Sequence, residues 1–94
     1  MSGPVLALDE KLDLRAAGEL AKSLAAYRGA PLALDAGAVR QIGALSAQVI
    51  RAAARSWAED GQDLSLQGVS TDLADQLELL GFNADTMTIW ESAQ

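Results

Sequence analysis

Apolar and polar positions along this chain fall into blocks whose period changes from one block to the next. Val5 to Leu8 is short and apolar, bounded by Gly3-Pro4 and Asp9-Glu10, and reads as a first strand, with a second short one near Lys11-Leu12. Asp13 suits a helix N-cap, because its carboxylate accepts a bond from an otherwise unpaired first-turn amide. From Ala16 onward Ala17, Leu20, Ala21, Leu24 and Ala25 repeat at helical spacing, with Glu19, Lys22 and Ser23 on the other side. Gly29 and Pro31 end that helix.

Leu32-Ala33-Leu34 is a continuous apolar run of the kind buried on both faces in a parallel sheet. Asp35-Ala36-Gly37 ends it and opens a loop that continues through Val39 and Ile42. A long alanine-rich helix follows from about Ala44 to Ala58. The pattern assigns Leu45, Val49, Ala52, Ala53 and Trp57 to its core stripe, and Gln48, Arg51, Arg55 and Glu59 to its polar stripe. Asp60-Gly61 closes it. Leu64 and Leu66 alternate with Ser65 and Gln67, giving a strand with one polar side. Ser70 or Thr71 then caps a third helix with Leu73, Ala74, Leu77 and Leu80 on its core side, and Gly81 stops it. Met87-Thr88-Ile89 has strand chemistry, with Trp90 and Glu91 opening a tail.

The order β–(β)–α–β–α–β–α–β predicts one α/β domain over residues 1–94, a small mixed sheet with three to four packed helices. Strand, helix and strand in sequence imply a right-handed parallel crossover. The stretch from Leu32 to Glu59 organises the rest, since its strand feeds directly into the longest helix.

Composition narrows the chemistry. Half the residues are apolar and 21% are charged, as in an ordinary globular domain. The chain has no cysteine and no histidine, so thiol nucleophiles, thiolate metal sites and the commonest general base are all missing. No GxGxxG or GxxxxGK[ST] phosphate loop is present. Asp9, Asp13 and Asp35 stand near strand ends, but in a domain this small they read as caps and loop ends rather than as an acid–base pair. A net charge of −6 repels the phosphate backbone, so nucleic acid is not an expected partner. The apolar runs are too short to span a bilayer, and the first residues lack a signal peptide's basic and hydrophobic regions. A cytoplasmic protein without cofactor or metal is the expectation.

Several local patterns resemble the STAS domain, the module typified by anti-sigma factor antagonists. Glu10-Lys11-Leu12-Asp13 resembles the family's GELD element, without its glycine. Leu34-Asp35-Ala36-Gly37-Ala38-Val39 resembles its LDLSGV strand and turn. Ile42 to Ile50 resembles its IDSSGLGVLL helix entry, and Leu64 to Phe82 its closing pattern ending LxLxGL. In phosphorylated members the first serine of the DSS motif receives phosphate from a partner kinase. Here Ala44 stands at that position and Gly43 replaces the aspartate before it. Ser46, two residues further on, is the candidate acceptor in its place, where phosphate would meet the helix dipole and unpaired amides. The competing reading is ordinary first-turn capping chemistry. The degenerate serine site, Gln48-Val49 after it and the short length further resemble the small STAS proteins encoded beside bacterial chemotaxis histidine kinases.

This resemblance implies a non-enzymatic signalling module that binds a partner, a histidine kinase or an anti-sigma-type kinase. Its alternatives are an anti-sigma factor antagonist, a subunit of a lipid-transport ABC system, and a small-ligand sensor. The expected contact surface is Gly43, Ala44, Leu45, Ser46, Gln48, Arg51 and Arg55. Arg40, Arg51 and Arg55 are three of only seven basic residues, all on or just before the central helix. They read either as a solvated face, with an Arg55–Glu59 pair, or as a docking stripe for an acidic partner. By phase Trp57 belongs to the core, whereas the pattern leaves Trp90 unplaced.

Overall fold

The computed structural model describes residues 3–91. Its strands are β1 (Val5–Ala7), β2 (Lys11–Leu12), β3 (Leu32–Asp35), β4 (Gln41–Ile42) and β5 (Leu64–Gln67). Its helices are α1 (Leu14–Ala26), α2 (Ala44–Glu59) and α3 (Thr71–Leu79), followed by a 3-10 turn at Ala84–Thr86. Strands β1, β3 and β5 form one sheet in that spatial order, while β2 and β4 form a second, two-stranded one. Each of these pairs is parallel, with Leu34 aligned to Leu6 on one side and to Leu66 on the other. The result is the expected single α/β arrangement of small sheet and helices. β3 is its centre, with Leu32 and Leu34 buried and Ala33 half-buried.

Local chemistry accounts for the helix starts. Asp13 Oδ1 accepts the Ala16 amide at 3.0 Å, as the sequence predicts. Ser70, rather than Thr71, caps α3, its Oγ accepting the Leu73 amide at 3.0 Å. α2 starts differently: its N-cap is Gly43, which has no side chain to cap with. At the other end of α2, Gly61 takes a φ of 68°, a left-handed conformation that stops the helix without a Cβ clash.

The structure corrects the expected pattern at three places. First, the α2 core stripe consists of Ser46, Ala47, Ile50, Ala53, Ala54 and Trp57, not Leu45, Val49 and Ala52. Leu45 and Ala52 are exposed and Val49 is half-buried. Alanines lie all round this helix, so apolar spacing alone does not fix its rotation, and Ile50 and Trp57 set it instead. Leu80, expected on the core side of α3, is likewise exposed. Second, the loop after β3 contains β4, a strand too short for a period-2 signal, which pairs with Lys11-Leu12. Third, Met87-Thr88-Ile89 is not a strand. Asn83 Oδ1 accepts the Asp85 amide at 2.8 Å, which winds the chain into the 3-10 turn. The segment then bends again, the Ile89 amide donating to the Thr86 carbonyl at 3.0 Å. Met87 is nonetheless buried in the core.

Helices α1 and α2 pack side by side, and their C-terminal ends are joined twice. The Arg28 guanidinium forms a two-bond pair with Asp60, through Nε at 2.8 Å and Nη2 at 3.0 Å. Trp57 is 2% exposed, and its indole N–H donates to the Ala30 carbonyl at 2.8 Å. It is therefore a core residue whose polar edge anchors the turn before β3. Replacing it with Phe removes that bond and part of the packing, an expected loss of about 1–3 kcal/mol. Urea denaturation checks this; an unchanged midpoint contradicts the anchoring role.

The Arg28 bond holds the Asp60 carboxyl below the ordinary carboxylate range, and the pair lies at the surface. A lowered carboxylate pKa gives stability that is present above the unfolded value and lost as pH falls through the folded one. Solvent screening keeps this contribution small. Asp60→Asn is expected to flatten the acid-side fall of the urea midpoint while changing little of its slope above pH ~5. An unaltered acid limb shows that the pair does not couple folding to protons.

Candidate functional site

Three sets of bonds fix the entry to α2. The β2–β4 pairing continues past its last residues, with the Gly43 amide donating to the Leu12 carbonyl at 2.8 Å. One step on, Ser46 Oγ donates to the Asp13 carbonyl at 3.2 Å and ties the first turn of α2 to the cap of α1. From the opposite side, Gln76 of α3 grips β4 by its backbone. Its Oε1 accepts the Ile42 amide at 3.0 Å and its Nε2 donates to the Arg40 carbonyl at 2.7 Å. Asp72 Oδ2 receives a further bond from the same Nε2 at 3.1 Å. One side-chain amide thus does for β4 what a neighbouring strand would do.

The seven residues expected to meet a partner are not equivalent on this scaffold. Ala44 and Gln48 are exposed, and Leu45 is 43% exposed, so the first turn of α2 presents an apolar and amide surface. Leu14, 74% exposed, is the first residue of α1, directly after the Asp13 carbonyl that Ser46 bonds. Gly43 is half-buried behind them. Ser46 is 0% exposed, with its hydroxyl already committed to Asp13. In this fold its side chain faces the core rather than solvent.

The arginines also separate. Arg55 is exposed and pairs with Glu59 one turn on, Nε to Oε2 at 3.2 Å. Arg51 is half-buried and engaged. Its Nη1 donates to the carbonyls of Thr86 and Met87, both at 3.0 Å, and of Ile89 at 2.7 Å. The Trp90 ring centroid lies 4.9 Å from its guanidinium carbon and 5.9 Å from that of Arg55, within cation–π range. Arg40 lies apart, 3.7 Å from Glu10 at the exposed start of β4.

The carboxylates near strand ends take local roles. Asp13 caps α1, and Asp35 Oδ1 accepts the Gly37 amide at 2.9 Å in the turn after β3. Among the described residues, no group of three or more His, Cys, Asp or Glu side chains could hold a metal ion. Among the same residues no helix is long and apolar enough to cross a membrane.

Three participants escape the sequence pattern. Gln76 reads as an ordinary polar position of α3, and no local signal reveals an amide that faces a distant strand. Leu14 had a signal in its phase, lying about 60–120° from Ala17, Leu20 and Leu24 on a helical projection. Trp90 is placed only by its stack on α2.

The burial of Ser46 sets a graded expectation. Ser46→Ala removes one bond, about 1 kcal/mol of stability. Ser46→Asp forces a charge into the same space and should remove at least ~3 kcal/mol or prevent folding. Urea denaturation of both variants checks the order, and equal stability for the two would contradict the buried placement.

Comparison with known proteins adds the family. A family model described as a Mlab, STAS domain matches residues 2–89. No curated protein and no solved structure matches the chain. The match runs from before β1 to beyond the 3-10 turn, and so takes in the α2 entry and every strand and helix around it. STAS domains commonly act by contact with protein partners in signalling. The chain belongs to the STAS domain family.

Proposed function

We propose that this protein is a non-enzymatic signalling module that docks on a partner kinase and biases its state. The partner that fits the resemblance is a histidine kinase of the chemotaxis type. The docking surface is the α2 entry, Gly43, Ala44, Leu45 and Gln48, together with Leu14 and, further along the helix, Arg51 and Arg55. The observation that carries this reading is the contrast between Ala44 and Ser46. The residue aligned with the family's phosphate acceptor is exposed but has no hydroxyl, whereas the nearby hydroxyl is fully buried and bonded. The usual phosphoswitch has no reactive group at this surface, so control comes from expression or from the partner. Exposed Leu45 and Leu14, at the entries of α2 and α1, supply apolar surface of the kind that protein interfaces bury, and Gln48 supplies a polar edge.

Two measurements test the proposal. The first is the intact mass of the protein after incubation with its captured histidine kinase and ATP. It is expected to stay unchanged; an added phosphate at Ser46 would overturn the constitutive docking mode. The second is capture of that kinase by Leu45→Glu and by Arg55→Glu, with far-UV circular dichroism as the folding control. Both substitutions should weaken capture by about tenfold or more. Undiminished capture would place the docking face elsewhere. Copurification of an ABC ATPase in place of a kinase would favour the lipid-transport reading.

A further inference from the structure

The C-terminal segment lies between a neighbour that holds it and one that is left unpaired. On one side is α2, where Arg51 Nη1 alone holds the Thr86, Met87 and Ile89 carbonyls and Trp90 covers Arg51 and Arg55. On the other side is the outer edge of β5. In the parallel pairing Asp63 and Gln67 turn their carbonyls to β3, so by alternation the amides and carbonyls of Leu64 and Leu66 point away from the sheet. Among the described residues no backbone hydrogen bond outside the sheet reaches these groups.

The segment already runs beside this edge in the reverse direction. Ala84 and Asp85 share a groove with Val69, Ser70 and Thr71 beyond the end of β5, while Trp90 shares one with Gly61 to Leu64 before its start. Ile89 is 55% exposed, and Thr88 and Ile89 line both grooves. Met87, Thr88 and Ile89 have strand chemistry, yet their backbone is bent toward the arginine. We infer that Thr86–Trp90 is a two-position strap: seated on Arg51 in this structure, and able to add to β5 as an antiparallel strand when that seat is lost.

Buried Met87 is the pivot common to both positions. In the seated position the strap engages Arg51 and stacks Trp90 on both guanidiniums; in the strand position it satisfies the Leu64 and Leu66 groups and leaves both guanidiniums without it. A carboxylate from outside competes well for Arg51, because a charge-assisted bond is stronger than one to a neutral carbonyl. The regulatory meaning rests on the docking role proposed for Arg51 and Arg55: the strap would gate that surface, and an acidic partner group would release it.

Amide exchange by NMR on the full-length chain tests the strap without any partner, so its failure is separate from failure of the docking surface. In the wild type the Leu64 and Leu66 amides should exchange rapidly. In Arg51→Ala both should slow by about tenfold or more, with cross-strand contacts to Thr88–Trp90. Trp90→Ala keeps the Arg51 bonds but removes the stack, and should slow the same two amides by a smaller factor. This variant decides the question if Arg51→Ala does not fold. Exchange as fast as wild type in the folded variants, or slowing without those contacts, would overturn the inference.

Discussion

The short parallel pairing of β2 with β4 is the constraint on which the rest of the site depends. It is only two residues long, too little to hold together by its own backbone bonds. It persists because bonds beyond its ends extend it, from Gly43 to Leu12, from Ser46 to Asp13, and from both faces of the Gln76 amide. The entries of α1 and α2 are thereby fixed to each other, and α3 is fixed to both. A rigid surface results at the one place where the helix begins with small residues. Preorganisation of that kind reduces the ordering cost of association, which suits the docking role proposed for it.

Much of this was legible in the sequence. The Asp13 cap, the apolar β3 run, the alternation of Leu64 to Gln67 and the glycine stops are local signals, each decided by one or two residues, and each stands where expected. The failures share a cause. The rotation of α2 is undetermined by its alanines, because a methyl group fits a core and a surface almost equally well. The buried serine defeats a pattern that sorts polar from apolar, since its hydroxyl is satisfied by a carbonyl from a distant turn. Met87 to Ile89 has the composition of a strand, but a single arginine, distant in sequence, takes its carbonyls. Long-range side-chain-to-backbone bonds are invisible to periodicity, and this small domain uses them at each of its decisive junctions.

Charge shows the same division between composition and placement. In a chain of net charge −6 the arginines on α2 look like a basic stripe. Folded, Arg51 is a structural donor, Arg55 is shared between Glu59 and Trp90, and Arg28 clamps Asp60. The electrostatic character of this surface is therefore set by the contacts its guanidiniums make, not by the count of cations on it.

The glycine at the start of α2 carries a different implication. Its φ is −101°, a conformation open to any residue, and a Cβ built there would meet only the Leu12 carbonyl oxygen at an ordinary 3.6 Å. An aspartate would fit, and as an N-cap it would strengthen the helix by a few tenths of a kcal/mol. The scaffold thus leaves room for the acidic residue that its relatives carry, and even favours it slightly. Stereochemistry therefore does not require the position to be bare. A helix start whose cap has no side chain leaves its first-turn amides open to a close approach by another backbone, and that access is what a capping carboxylate would take away.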